Sequence, residues 1–178
     1  MSIEIIKKQN FRHIIGYLIG FLIFVIFIPA IIYSISKIEH DFFSTSILNS
    51  ATLRLVIAAL LLLIGSIFAI WSNVDLFRKG EGGPTDVFNI DISPHSKRLV
   101  TTGPYRYSRN PMVFGMSSIY FAIALLVNTL GSLVFCTLFI LVIIVYLKRT
   151  EEKRLLKDFG EEYLDYKKRT SMIIPFKK

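Results

Sequence analysis

The stretch MVFGMSSIYFAIALLVNTLGSLVFCTLFILVIIVYL, residues 112–147, contains no Asp, Glu, Lys or Arg. Its one interruption is Asn128-Thr129-Leu130-Gly131, four turn-compatible residues without charge. The stretch therefore divides into two membrane spans, about Met112–Leu130 and Ser132–Leu147, joined as a tight helical hairpin. A short outer turn forces the opposite ends of the two helices to lie side by side, and those ends are the chemically rich parts of the chain.

Upstream, residues Ile14 to Ser36 carry no charge and are dense in Ile, Leu and Phe, enough to cross a hydrocarbon core of roughly 30 Å. Lys7, Lys8 and Arg12 precede this run like the basic start of a signal peptide. The long apolar stretch without a small-residue cleavage site reads as a retained anchor instead. Pro29 removes one helical hydrogen bond late in the run and predicts a kink. Ala51 to Trp71 is the next span, with Arg54 snorkelling outward and the Trp71 indole at an interface.

These spans make the 178 residues one membrane unit, 53% hydrophobic with a mean hydropathy of +0.55. The fold class expected is all-α: a polytopic membrane helical bundle of about four transmembrane helices, a loop over 77–110 and a helical extension in the tail 148–178. The net charge of +8 sits beside the apolar runs, where it orients helices and meets anionic headgroups, so nucleic acid is not the expected partner. Cys136 is alone in an apolar run, which excludes an internal disulfide and a cysteine-based zinc site, and no metal is expected.

Basic residues gather before span one, in the central loop (Arg78, Lys79, Lys97, Arg98, Arg106, Arg109) and after span four (Lys148, Arg149, Lys153, Arg154). The turn between spans three and four has none, and Lys37 and Arg54 between spans one and two are balanced by Glu39 and Asp41. The positive-inside rule places both termini and the central loop in the cytoplasm. That loop is long and punctuated by Gly80, Gly82, Gly83, Pro84, Pro94, Gly103 and Pro104; loops of this length are often functional. It lacks the spacing of a phosphate-binding loop. His95 reads as a solvent-facing loop residue, and His13 and His40 have nothing convergent around them.

Its most informative part is Leu99-Val100-Thr101-Thr102-Gly103-Pro104-Tyr105-Arg106-Tyr107-Ser108-Arg109-Asn110-Pro111. Asn110 is a good N-cap and Pro111 a good first helical residue, so span three is expected to start here with backbone N–H groups facing the loop. With Arg106 and Arg109 this favours a carboxylate or phosphate. The plain alternative is that the arginines touch lipid phosphates and the tyrosines belong to an interfacial belt.

After span four, Lys148 to Phe159 can continue the helix until Gly160 stops it. Ser132–Phe159 would be roughly 42 Å long, so its last turns project from the membrane. Glu152, Leu155, Leu156 and Phe159 share one face, toward the protein, while Glu151 lies about 100° away. The plain alternative is a solvated helix surface with a Lys148–Glu152 pair. Because the hairpin is tight, the Arg106–Pro111 loop and Glu151/Glu152 are expected to be neighbours, able to hold a zwitterionic or cationic molecule.

The order Leu99-Val100-x-x-Gly103-Pro104-Tyr105-Arg106-Tyr107-x-Arg109-Asn110-Pro111-x-x-x-Gly115, then Glu151-Glu152-x-x-Leu155, then Phe159-Gly160-x-x-Tyr163-x-x-Tyr166, resembles the isoprenylcysteine carboxyl methyltransferase family, whose wider relatives include phospholipid N-methyltransferases. Gly80 to Pro94 is similar to a loop in some bacterial members. The chain departs from the commonest motif in having Asn110 where the family has histidine and Val113 where tyrosine is frequent; Asn110 cannot shuttle protons.

The resemblance implies an S-adenosylmethionine-dependent methyltransferase in a bacterial or archaeal cell membrane, with membrane lipids around it and a lipid-like or amphipathic small-molecule acceptor. It implies cofactor binding by Leu99, Val100, Gly103, Tyr105, Arg109, Asn110, Pro111, Glu151 and Glu152, with Arg106 and Glu152 catalytic. In that picture Leu99, Val100 and Gly103 surround the adenosine, Arg109 meets the carboxylate, Glu152 with Glu151 holds the ammonium or ribose, Tyr105 faces the sulfonium and Arg106 orients the acceptor. A carboxylate acceptor needs no base. An amine, phospholipid headgroup or small thiol on the same scaffold, and a non-enzymatic membrane-binding protein, remain open.

Overall fold

The computed structural model describes residues 15–16, 18–43, 46–80, 86–87, 90–91 and 98–176. The basic residues Lys7, Lys8 and Arg12, His13, most of the 80–94 loop, His95 and Lys97 lie outside the described residues. Among the described residues the helices are α1 Leu18–Phe42, α2 Ala51–Gly80, α3 Pro111–Val127, α4 Leu130–Tyr146 and α5 Glu152–Arg169, the last two joined by a π-helical turn, Leu147–Glu151. The only strands among the described residues are β1 Asp86–Val87 and β2 Ile90–Asp91, an antiparallel two-residue pair inside the central loop.

Among the described residues three helices are long and apolar enough to cross a membrane: α1, α2 and the continuous Leu130–Arg169 run. The expected third span, α3, has 17 residues, about 26 Å at the helical rise. It ends at Val127 rather than Leu130 because Asn128 takes a left-handed conformation, φ 57° and ψ 41°, and stops the helix. The second span continues past Trp71 to Gly80, so the first turn of the expected loop is helical.

Pro29 acts differently from a simple kink. The seven residues Phe21–Phe27 are π-helical, and the Ile28 N–H donates to the Ile23 carbonyl. In that register the Phe24 carbonyl should receive the N–H of residue 29, which proline lacks. The Tyr120 hydroxyl of α3 supplies the missing donor at 2.8 Å. The proline is thus absorbed by a widened turn and a tertiary hydrogen bond in the core formed by Ile28, Ile32, Tyr120, Ala124 and Cys136.

α2 and α3 make the most extensive helix contact. A Cβ on Gly115 would lie 2.6 Å from the Ala69 nitrogen and 2.7 Å from the Gly65 carbonyl oxygen. Only hydrogen fits there, so the two backbones touch, as small residues allow between membrane helices. Around the bundle Leu60, Leu63, Ile67, Leu138, Leu141 and Val142 are exposed, the surface lipid would cover.

At the outer turn, Glu39 near the end of α1 accepts from the Leu130 and Gly131 N–H groups, at 3.0 and 2.6 Å, and so caps α4 from another helix. Asn128 Oδ1 accepts from the Ile47 and Leu48 N–H groups at 3.0 Å, tying the α1–α2 loop to the same turn. This role explains why α1 runs to Phe42, beyond the expected Ser36.

Candidate active site

The opposite end of the hairpin brings together the two motif halves. Arg109 Nη2 donates to Glu152 Oε1 at 2.7 Å, with both side chains nearly buried. Lys167 Nζ, half exposed, donates to Glu152 Oε2 at 2.6 Å. Burial by itself raises the Glu152 carboxyl, but the hydrogen bonds and charges of Lys167 and Arg109 outweigh it and hold the group below the usual carboxylate range. Glu152 is ionised and fixed. The expected neighbourhood is present; the Lys148–Glu152 alternative is not the pairing the fold makes.

Lys167 reaches Glu152 because Gly160 reverses the chain. With φ 52° and ψ −126° it breaks α5, and a second helical segment starts at once and runs to Arg169. The expected stop is therefore a hinge between two helical pieces. Beyond it, residues 170–172 lie along residues 107–110: Arg109 N–H donates to Ser171 O at 2.9 Å and Asn110 N–H to Met172 O at 3.1 Å. Arg109 Nη1 donates to the carbonyls of Lys167 and Thr170 at 3.1 and 2.6 Å, and the Tyr166 hydroxyl donates to Tyr105 O at 2.7 Å. The C-terminal segment is a strap across the motif loop.

Asn110 occupies the start of α3 but its side chain does not cap it. Nδ2 donates instead to Met172 O at 3.0 Å, which turns the side chain to the strap. Pro111 is the first residue of α3, as expected, and is buried. Leu99 is half-buried and Val100 buried. Tyr105 is buried, its hydroxyl on the Ser72 carbonyl of α2 at 3.4 Å, so it braces the loop against α2. Arg106 is exposed. Glu151 is paired with Arg154 at 2.6 Å, away from Arg109. Leu156, expected inward with Glu152, is exposed; the π-helical turn Leu147–Glu151 shifts the helical register just before it.

Two polar atoms at this place are buried without a hydrogen bond, Arg109 Nε and the Tyr163 hydroxyl. Burial, then the negative charge of Glu152, pushes the Tyr163 phenol up to about 12. Burial likewise raises Tyr166. Both tyrosines stand in the quoted motif, but their roles emerge only once Gly160 folds them back.

A second carboxylate was missed. Asp75, one turn beyond Trp71 on α2, is buried and pairs with Lys79 at 2.6 Å; Lys79 also donates to the Thr102 hydroxyl at 3.0 Å. Gly103, with φ +60°, lies so close that a Cβ there would meet Asp75 Oδ2 at 2.0 Å and the Trp71 indole nitrogen at 3.2 Å. The readable signal is the i, i+4, i+8 row Trp71, Asp75, Lys79, visible once α2 is extended past its apolar part. Among the described residues no group of three or more His, Cys, Asp or Glu could hold a metal.

No curated protein and no solved structure matches the chain significantly. A family model described as phospholipid methyltransferase matches residues 53–162. That region contains α2 with Asp75, the whole 99–111 loop, the α3–α4 hairpin, Glu152 and the Gly160 hinge. Matched over more than half its length, with its motif halves joined by an ion pair at the loop end of an all-α membrane bundle, the chain belongs to the phospholipid methyltransferase family, within the group of membrane methyltransferases related to the isoprenylcysteine carboxyl methyltransferases.

Proposed function

We propose that the protein transfers a methyl group from S-adenosylmethionine to a lipid-like acceptor at the cytoplasmic end of the bundle. The observation that carries this reading is the buried 2.7 Å Arg109–Glu152 ion pair, which unites the two motif halves at the membrane edge. The residues fit a zwitterionic amino-acid group. Arg109 keeps a buried, unpartnered Nε–H for a carboxylate, the buried Tyr163 hydroxyl stands beside Glu152, and Glu152 keeps acceptor capacity for an ammonium. Bound there, the cofactor supplies an activated methyl on a sulfonium. The chain supplies the rest: Leu99, Val100 and Gly103 line the loop, Tyr105, Asn110 and Pro111 hold it in shape, and Glu151 stands one position outside Glu152.

Exposed Arg106 orients an anionic group of the acceptor. A carboxylate acceptor needs alignment and desolvation rather than a base, so positioning is most of what the site must provide. Basic residues around the loop end and the uncharged outer turn support a cytoplasmic site. The test is calorimetric binding of S-adenosylmethionine to detergent-purified protein, followed by labelled-methyl transfer into a lipid extract with the product identified by mass. Arg109→Ala and Glu152→Ala weaken binding and Glu151→Ala does so less. Folded protein that binds no S-adenosylmethionine overturns the proposal.

A further inference from the structure

The two carboxylate oxygens of Glu152 are satisfied in different ways. Oε1 accepts from Arg109 Nη2 at 2.7 Å, a planar guanidinium on a nearly buried side chain; Oε2 accepts from Lys167 Nζ at 2.6 Å, an ammonium on a flexible, half-exposed stem. Arg109 by itself neutralises the buried carboxylate. The lysine is redundant for the fold, because the strap is held by other bonds: Arg109 Nη1 on the Lys167 and Thr170 carbonyls, the Arg109 and Asn110 N–H groups on the Ser171 and Met172 carbonyls, and the Tyr166 hydroxyl on the Tyr105 carbonyl. None of these uses the Lys167 side chain.

Helix spacing does not produce the Lys167–Glu152 contact. Lys167 is 15 residues beyond Glu152 and would lie about 22 Å away on an uninterrupted helix. Gly160, at a φ of 52° that favours glycine, turns the chain back, and Arg109 then pins the Lys167 carbonyl at 3.1 Å. The base of the side chain is fixed and its ammonium can swing. That ammonium stands on the one oxygen Arg109 leaves open, and it is the same chemical group that an amino-acid ligand brings. We propose that Lys167 is an autoinhibitory latch, an internal substitute that must swing off Glu152 Oε2 before the amino-acid group of the cofactor can bind beside Arg109. The inference rests on the methyltransferase reading, in which Glu152 takes the cofactor's ammonium. Exchange keeps the charge at Glu152 balanced, since one ammonium leaves as another arrives, and it breaks none of the strap's backbone bonds. Being tethered, the lysine competes as an intramolecular ligand and lowers the apparent affinity by the fraction of molecules that are latched.

The test uses full-length protein in dodecyl maltoside. Wild type and Lys167→Ala are titrated calorimetrically with S-adenosylhomocysteine, which carries the amino-acid group and no net charge, and with methylthioadenosine, which lacks that group. S-adenosylhomocysteine is expected to bind Lys167→Ala about threefold to fivefold more tightly than wild type, the population factor of a half-exposed ion pair, with methylthioadenosine unchanged. Unchanged or weaker binding of S-adenosylhomocysteine to folded Lys167→Ala overturns the proposal, as does equal tightening of both ligands. A second readout follows the lysine itself: acetylation by a water-soluble N-hydroxysuccinimide ester, quantified residue by residue by mass. Saturating S-adenosylhomocysteine should raise labelling of Lys167 while that of Lys168, exposed and paired with Asp165, stays constant. The two readings fail separately. No binding of S-adenosylmethionine or S-adenosylhomocysteine to either protein overturns the methyltransferase reading and the latch with it, whereas binding that leaves Lys167 labelling unmoved or lowered overturns the latch alone.

Discussion

Asp75 and Glu152 are both buried carboxylates pressed against the 99–111 loop, and each has a half-exposed lysine on its outer side, Lys79 at 47% and Lys167 at 44%. Behind Glu152 stands a second cation, Arg109, whose side chain is only 7% exposed and which also grips two strap carbonyls. Behind Asp75 is the bare backbone of Gly103. A charge held from both sides in low dielectric is part of the architecture, because losing either partner strands the other. A charge held from one side by a flexible lysine can change partners. One loop is thus flanked by a carboxylate held by two cations and, among the described residues, a carboxylate held by one.

The sharpest way to break this contrast is to remove the inner cation. Arg109→Ala leaves Glu152 buried beside Lys167 alone and frees the strap, so it is expected to destabilise by about 3–5 kcal/mol, measured by thermal unfolding in detergent. Asp75→Asn should cost clearly less, since it leaves a lysine that can reach water. Equal losses would mean that both carboxylates are architectural.

Next in size are the glycines that serve each side. Gly103→Ala combines a positive φ with a collision against Asp75 and is expected to cost about 3 kcal/mol. Gly160→Ala meets nothing within 4 Å, so its cost is backbone strain only, about 2 kcal/mol, with faster hydrogen exchange in the strap. A reversed order would place the strain at the hinge and not at the Asp75 contact.

The pH dependence discriminates as well. Glu152 has a depressed pKa, so its contribution is complete above the ordinary carboxylate value of about 4.3 and is lost as pH falls through the lower folded value. Tyr163 runs the other way: pushed up to about 12, it contributes below about 10 and loses that contribution as pH rises toward its folded value. Glu152→Gln should flatten the acid limb of a stability profile and Tyr163→Phe the alkaline limb; an acid limb unchanged in Glu152→Gln would remove the claim that Glu152 is ionised and fixed by its two cations. The smallest effect belongs to the half-exposed Lys167: Lys167→Ala is expected to change stability by about 1 kcal/mol or less, because Arg109 still holds Glu152 and water screens the lost pair.

Much of the bundle was legible from the chain because a bilayer makes composition speak directly: a segment with no charge over a membrane thickness has one stable state, and a break at Asn128 makes a turn between two such segments, although the turn narrows to Asn128 and Thr129 because α4 starts at Leu130 and not at the expected Ser132. The same hairpin logic placed Arg109 beside Glu152. Helix ends were less legible. Asn110 has the right chemistry for a cap and sits at the helix start, yet its side chain serves Met172, 62 residues away. Pro29 is a kink signal on the page, and its neutralisation by Tyr120 depends on a helix 96 residues distant from Phe24.

What the sequence determined by itself was an all-α membrane bundle, a polar loop end and two motif halves brought together by a tight turn, since each follows from local polarity and helical geometry. Tertiary structure alone decided which charges became buried and which cations they met. Gly160 can end a helix or reverse it with equal local ease, and only packing on residues 107–110 selects the reversal that carries Lys167 to Glu152. Asp75 is a surface-like residue in any local reading; it becomes a buried carboxylate because Gly103 lets the loop close over it.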